Sequence, residues 1–361
     1  MIRTLLIALT CCAISQPIYA GQDSAWLTFS GKTETNSDGH DGVVGVAADR
    51  LLGQSDRIGF DYRDSRSYRN ETDSSTASFH YRFPAGANKV QVEAGRSRYD
   101  RARSSGNRRF NASGQSRALG LGASRPLFSR FGVAFDGVAR HRGRSSESFE
   151  YDSLVSESRY ELSSFGLEAS GNRELMAGMR MKTRMLALSG REFQSTDYPS
   201  GDDLTDKRAF YKVAVSASLE QEVFHWHCRA SGRYQFADAD LPSSEYLTVA
   251  SPSMSAGFNG QSVSVLQGGW LRLDTASPAW SMPFVDGVLS TVNFAVLQGW
   301  IPHSEAQAGR HGKASAGQIS LKMQGRAFTA DVSVGRMLGT STMAMTMPDH
   351  PDVRFSLSLR I

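Results

Sequence analysis
The chain has 361 residues, of which 40% are hydrophobic and 21% charged, and its net charge at neutral pH is +4. That small charge is dispersed, with arginines alternating with apolar residues along the chain, which excludes the one-sided basic face of a nucleic-acid binder. No stretch of about 18 apolar residues occurs, so crossing a membrane with helices is excluded as well.

The chain opens on Arg3, the apolar run Leu5-Leu6-Ile7-Ala8-Leu9 and the small-residue stretch Ile18-Tyr19-Ala20 before Gly21. This is the order of a secretory signal peptide, so residues 1–20 are expected to be removed and residues 21–361 to form one domain. Cys11 and Cys12 leave with the leader. Cys228 then stands alone, without a partner for a disulfide or for a cysteine-based zinc site.

From Ala25-Trp26-Leu27-Thr28-Phe29 onward the hydrophobicity changes with every residue. Successive strand residues face opposite sides of a sheet, so such alternation makes one greasy and one wet face. Between residues 172 and 191 the apolar set is Leu175, Ala177, Met179, Met181, Met185 and Ala187, read as one face of a strand. Arg180, Lys182 and Arg184 fall on the other, where a helix would scatter them. The next segment sets Tyr211, Val213, Val215, Ala217 and Leu219 against Lys212, Ser216 and Ser218. After it, Phe224, Trp226, Cys228, Ala230, Tyr234 and Phe236 oppose His225, His227, Arg229, Arg233 and Gln235. Aromatics at both ends of a strand suit the two interfacial girdles of a bilayer. Pro84-Ala85-Gly86-Ala87-Asn88 reads as a tight turn, and residues 101–116 and 194–207, polar and rich in small residues, read as long external loops. The last segment, residues 353–361, is apolar at every odd position and polar at every even one. The expected fold is all-β: an antiparallel transmembrane barrel of about sixteen strands in the outer membrane of a Gram-negative bacterium, lipid outside and water inside.

Several short stretches carry a resemblance beyond this pattern. Leu51 to Asp56 and Phe83-Pro84-Ala85-Gly86 look like two periplasmic turns. Leu241-Pro242-Ser243-Ser244-Glu245 is followed by Ser251-Pro252-Ser253-Met254-Ser255-Ala256-Gly257-Phe258, then by Gly269-Trp270-Leu271-Arg272-Leu273-Asp274 and by Phe284-Val285-Asp286-Gly287. In order and spacing these resemble the barrel of two-partner secretion translocators, the haemolysin-activator type of the Omp85 superfamily. The resemblance implies export of a partner exoprotein through the lumen without a cofactor, insertion by the barrel-assembly machinery, and an inward-folded lid loop. It places the lid tip at Ser255, Ala256, Gly257 and Phe258, and the lid-facing strand motifs at Trp270, Arg272, Asp274, Phe284 and Asp286.

Two departures from the family pattern stand out. An arginine usually occupies the position of Ala256 and pairs with the strand aspartate, here Asp286. Its loss implies a looser lid, and an arginine restored at 256 is expected to pin it. The first strand is expected to start five residues after the leader, without room for the family's periplasmic POTRA domains, so recognition of a partner is expected from the barrel, from a short N-terminal tail or from a separate POTRA protein. Outer-membrane lipid and lipopolysaccharide are further expected partners. The run Arg96, Arg98, Arg101, Arg103, Arg108 and Arg109 climbs from a strand into a long loop and reads first as solvated loop charge, with lipopolysaccharide or a passenger as the alternative contacts. Arg180, Lys182, Arg184, Arg229 and Arg233, with Arg272, are the expected basic wall of the lumen, either ordinary lumen polarity or a guide for anions or unfolded chain. His225 and His227 have a metal-like spacing but no third ligand, and no motif surrounds the other histidines, so neither a metal nor an enzyme is expected. A passive pore and a surface adhesin are the alternatives to export.

Overall fold
The structure is a computed structural model that describes residues 26–360, apart from 37–38, 52–54, 68–71, 106–107, 152, 200, 202–203, 283–286, 305–306 and 308–310. Its first eleven strands are β1 (Trp26–Asn36), β2 (Gly39–Asp49), β3 (Arg57–Ser67), β4 (Thr72–Ala85), β5 (Asn88–Ser105), β6 (Arg108–Arg130), β7 (Val133–Glu150), β8 (Ser153–Glu174), β9 (Arg180–Asp197), β10 (Leu204–Val223) and β11 (Trp226–Ala237). A small hairpin of β12 (Leu247–Ala250) and β13 (Val263–Val265) follows, then β14 (Gly268–Ala276), β15 (Trp280–Ser281), β16 (Leu289–Ile301), β17 (Gly312–Gln324), β18 (Phe328–Thr340) and β19 (Asp352–Arg360). The β12–β13 hairpin forms a sheet of its own. β15 pairs with β16 and prolongs the stave begun by β14, so the remaining strands make sixteen staves. β19 pairs antiparallel with β1, Phe29 opposite Leu359 and Thr33 opposite Phe355, and this seam closes the barrel. Closure leaves no sheet edge to be solvated inside a bilayer, where an unpaired backbone group costs several kcal/mol.

Residues directly opposite in an antiparallel pair share a face, so the registers sort inside from outside. Phe294, Ile319 and Val334 form one continuous row, continued by Val353, and all are exposed. The companion row, with Gln318, Gly335 and Asp352, points inward. The alternation read in the sequence is thus the lipid and lumen faces of a barrel wall.

The wall is uneven in height. A strand needs roughly 9–11 residues to cross a bilayer, yet β6 has 23, β8 has 22 and β10 has 20, against 13 in β16, β17 and β18. The excess lies at the hairpin ends opposite the two-residue turns Gly86-Ala87, Phe131-Gly132 and Phe224-His225. Short turns mark the periplasmic rim and the far end is external.

This corrects three expectations. Much of 101–116 and 194–207 is paired strand, with Ser97 and Ser116 hydrogen-bonded at 2.7 Å and Ser158 and Thr196 at 3.1 Å across neighbouring strands. Polar composition signals water contact, but the backbone there satisfies itself by pairing. Leu175 to Met179 is a turn with a 3-10 segment rather than strand, reversing the chain at Gly178, whose φ is +72°. Phe224 and His225 form the β10–β11 turn, both with positive φ, and His225 lies against Glu222 at 3.6 Å instead of sharing a wall with His227.

The register makes a direct prediction. Ile319 sits midway along β17 on the lipid face, so Ile319→Arg should lower unfolding stability in lipid vesicles by about 2–4 kcal/mol. Urea titration followed by tryptophan fluorescence measures this. An unchanged midpoint would mean that position 319 does not face lipid.

Candidate functional site: a lid latched inside the lumen
The chain between β11 and β14, residues 238–267, folds back into the barrel. Its β12–β13 hairpin and the 3-10 turn Ala256–Phe258 pack on the inner face of β16, β17 and β18. Leu247, Val249, Phe258, Val263 and Val265 meet Leu297, Ile301, Ala316 and Met337 of the wall in an apolar core, with Trp270 partly buried at its edge. The contact between the lid and this part of the wall is therefore apolar.

Close approach is possible because the wall is glycine where the lid backbone touches it. A β-carbon on Gly335 would strike the Gly257 nitrogen and lie 2.7 Å from the β-carbon of Ala256, and one on Gly257 would lie 2.5 Å from the Arg336 backbone. Gly299 stands in the same relation to the Val249 backbone. These are backbone-to-backbone contacts that only glycine permits.

The polar grip on the tip comes from the wall. Arg354 of β19 donates to the carbonyl oxygens of Pro252, Ser255 (3.4 Å) and Ala256 (3.2 Å), and to Asp352 at 2.8 Å. Arg272 of β14 donates to the Met254 carbonyl and to Asp274 at 2.8 Å. Gln318 of β17 accepts from the Ala256 N–H at 2.9 Å. Each arginine is oriented by an aspartate two residues along its own strand, hence on the same face. Asp352 is fully buried and Arg354 7% exposed, so the pair needs these bonds to offset desolvation.

The base of the lid is fixed to β8, β10 and β11. Lys212 of β10 pairs with Glu245 at 2.6 Å and donates to its carbonyl at 3.1 Å, both side chains being nearly buried. Gln235 of β11 donates to the carbonyls of Glu245 and Leu266, both at 3.1 Å, tying the two legs of the lid together. Tyr160 hydrogen-bonds Ser244, and Leu162 and Phe210 cover Leu241 and Leu266. Two external loops add amide clamps: Gln307 exchanges hydrogen bonds with Gln267, and Gln261 with the backbone of Thr346 at 2.8 Å each way.

The residues singled out in the sequence fall as follows. Ser255, Ala256, Gly257 and Phe258 are the buried tip, and Trp270, Arg272 and Asp274 face it. Phe284 and Asp286 lie outside the described residues. Arg180, Lys182, Arg184, Arg229 and Arg233 line the lumen, where Arg184 meets Glu168 at 2.5 Å and Glu220 lies 3.5 Å from Lys182 and 3.6 Å from Arg229. Arg233 borders a cavity of about 290 Å³ beside the lid base, with Lys212, Glu245 and Trp270. Two expectations about the tip are reversed. Loss of the tip arginine does not leave the tip unanchored, because wall arginines grip its backbone. An arginine at 256 cannot pin the docked tip, because Ala256 is 0% exposed against Gly335.

Sequence reading missed Arg354, Asp352, Lys212, Glu245 and the glutamine clamps. The available signal was the pattern Asp352-x-Arg354, a mirror of Arg272-x-Asp274, followed on the same face by Ser356 and Ser358.

The architecture defines an outer-membrane β-barrel with a lid folded into its lumen. The family described as haemolysin secretion/activation protein ShlB/FhaC/HecB matches residues 25–322. The chain belongs to this family. Two solved structures share its fold: CdiB from Acinetobacter baumannii, with 14% identity and a TM-score of 0.69 over 93% of this chain, and CdiB from Escherichia coli, with 18% identity and a TM-score of 0.69 over 96%. The chain spans 60% and 64% of those two proteins. A search of curated proteins gave no match.

Two predictions test the latch. The double variant Arg272→Ala/Arg354→Ala, and separately Ala256→Arg, should raise mean conductance in planar bilayers above that of the parent chain; conductance unchanged in all would refute the latch. At the base, Lys212→Met alone should destabilise the protein by about 3–5 kcal/mol, and adding Glu245→Met should recover most of that. A double-mutant cycle in urea reads the coupling, and additive losses would contradict a buried pair.

Proposed function
We propose that the chain exports a partner exoprotein through its lumen, with residues 238–267 as the plug that yields to the passing chain. The observation that carries this reading is the nature of the grip on the lid tip. Its charge pairs, Arg272–Asp274 and Arg354–Asp352, lie wholly within the wall, and the tip contributes only neutral carbonyls and one N–H. Releasing the tip breaks charge-to-carbonyl hydrogen bonds, worth about 1.5–3 kcal/mol each. It separates no buried ion pair, which would cost about 3–5 kcal/mol. Wall arginines left behind keep their aspartates, so the open state strands no unpaired charge.

The release is expected to be stepwise. The tip leaves β17, β18 and β19 first, while β12–β13 stays against Leu297 and Met337 and the base stays tied through Lys212 and Gln235. The opened side of the lumen then presents serine, glutamine and paired charge, a surface to which an extended polypeptide has little reason to stick. Folding of the exported chain outside supplies direction without ATP. Family membership and the CdiB-like fold support the same reading, and a lid that occupies the lumen argues against a permanently open pore.

Comparison of secreted proteomes from cells with and without the chain tests export. The expected result is selective loss of one large exoprotein from the medium and its retention in the periplasm. Identical secreted and surface proteomes would overturn the proposal.

A further inference from the structure
The outward face of β5 to β10 carries a basic collar that export does not use. Moving from the apolar band toward the external end, the first charged outward residue is Arg96 after Ala94 on β5 and Arg117 after Leu119 on β6. It is His141 after Ala139 on β7, Arg191 after Ala187 on β9 and Lys207 after Tyr211 on β10. On β8 Glu161 comes first and Arg159 lies one step beyond it. One carboxylate thus stands among five fixed cations and a histidine. The next row outward is acidic, with Glu147, Glu157 and Asp197 alongside Arg98. The positive charge is therefore confined to the boundary of the apolar band.

Two features say that stability alone did not place these arginines. Arg96 is the direct cross-strand partner of Arg117, and like charges directly opposite destabilise a sheet. Among the described residues, neither Arg117, Arg159 nor Arg191 makes an ion pair, and Arg96 reaches only the Gln115 amide oxygen at 3.3 Å. On β3 and β4, by contrast, Arg66 meets Asp73 at 3.3 Å. Between β6 and β8 the chain is also small, Gly143 and Ser145, which opens an outward groove of about 320 Å³. Arg117 and Arg159 flank it, Leu119, 62% exposed, forms its lower edge, and Glu161 borders it.

An apolar lower edge beneath two unpaired guanidinium groups fits an amphiphile. We propose that this groove and collar bind a phosphate-bearing lipid of the outer leaflet, acyl chains along Leu119, Leu121 and Phe165 and phosphate held by Arg117 and Arg159, with Arg96 and Arg191 beside them. Guanidinium groups bind phosphate bidentately, and a bound phosphate also removes the Arg96–Arg117 repulsion. The acidic row above stops the headgroup from climbing. This assignment is independent of what passes through the lumen.

Native mass spectrometry of the detergent-purified full chain tests it, with a bisphosphorylated glycolipid, phosphatidylglycerol and phosphatidylcholine as probes. The expected order has both net-anionic lipids, whose phosphates carry no neutralising ammonium, bound at least tenfold more tightly than the zwitterion. Arg96→Gln/Arg117→Gln/Arg159→Gln should lose that advantage, on the order of a hundredfold for three cations. Ser145→Trp, which fills the groove without changing charge, should lose it as well, whereas Arg66→Gln should not. Either groove variant suffices if the other fails to fold. Equal retention of all three lipids, or full retention by a folded groove variant, would overturn the proposal.

Discussion
The constraint on which the lumen depends is that a buried guanidinium needs hydrogen-bond acceptors to offset its desolvation. Arg354 finds most of them only when the lid tip lies beneath it: its two terminal nitrogens donate to Asp352 and to the carbonyls of Pro252, Ser255 and Ala256. The same logic places Arg272 between Asp274 and the Met254 carbonyl. Everything else about the lid follows from a backbone held at those two points. The tip must come close enough to be gripped, so the wall is glycine at 335 and the tip is glycine at 257. The flank of the hairpin must be dry, so valines, Leu297 and Met337 fill it.

A grip on backbone has a consequence for sequence. Carbonyl oxygens are present whatever the side chains, so a tip held in this way is free to lose an arginine that the family resemblance places there. Polarity of the latch is reversed relative to that expectation: the wall supplies the cations and the lid supplies the acceptors. The glutamine clamps obey the same rule, with Gln235, Gln261 and Gln307 all directed at main-chain atoms. Neutral and charge-assisted bonds to backbone can be exchanged for water one at a time, which suits the stepwise release proposed for the lid.

How much of this was legible in the sequence follows the range of the forces involved. Alternation along a strand is local, so the barrel, its lipid and lumen faces and the final strand could be read from residues such as Val353 to Leu359. The lid was legible only through motif resemblance, since nothing local in Ser251 to Phe258 says that it points inward. Of its anchors Arg272 was legible through the same resemblance, whereas Arg354 was not, because it acts on a segment about a hundred residues earlier and lies beyond the matched residues 25–322. The external ends of the β5–β6 and β9–β10 hairpins, residues 101–116 and 194–207, read as loops since their composition reports water, while their pairing is decided by backbone hydrogen bonds that composition does not reveal. The Phe224-His225 turn reads as strand for a related reason: Phe224 and His225 keep the phase of Trp226 and His227 in β11, and the change of phase falls one residue earlier, at Val223-Phe224.

The most direct test of the account is a distance measurement between the lid and the wall. With Cys228→Ser as background, spin labels at Ser253 and at Met176, in the exposed periplasmic turn, report the tip position by double electron–electron resonance in lipid vesicles. The account predicts one narrow distance distribution in the otherwise native chain and a broad one once Arg354 is replaced by alanine. A broad distribution in both, or a narrow one that survives loss of Arg354, would contradict a lid latched by arginines of the wall.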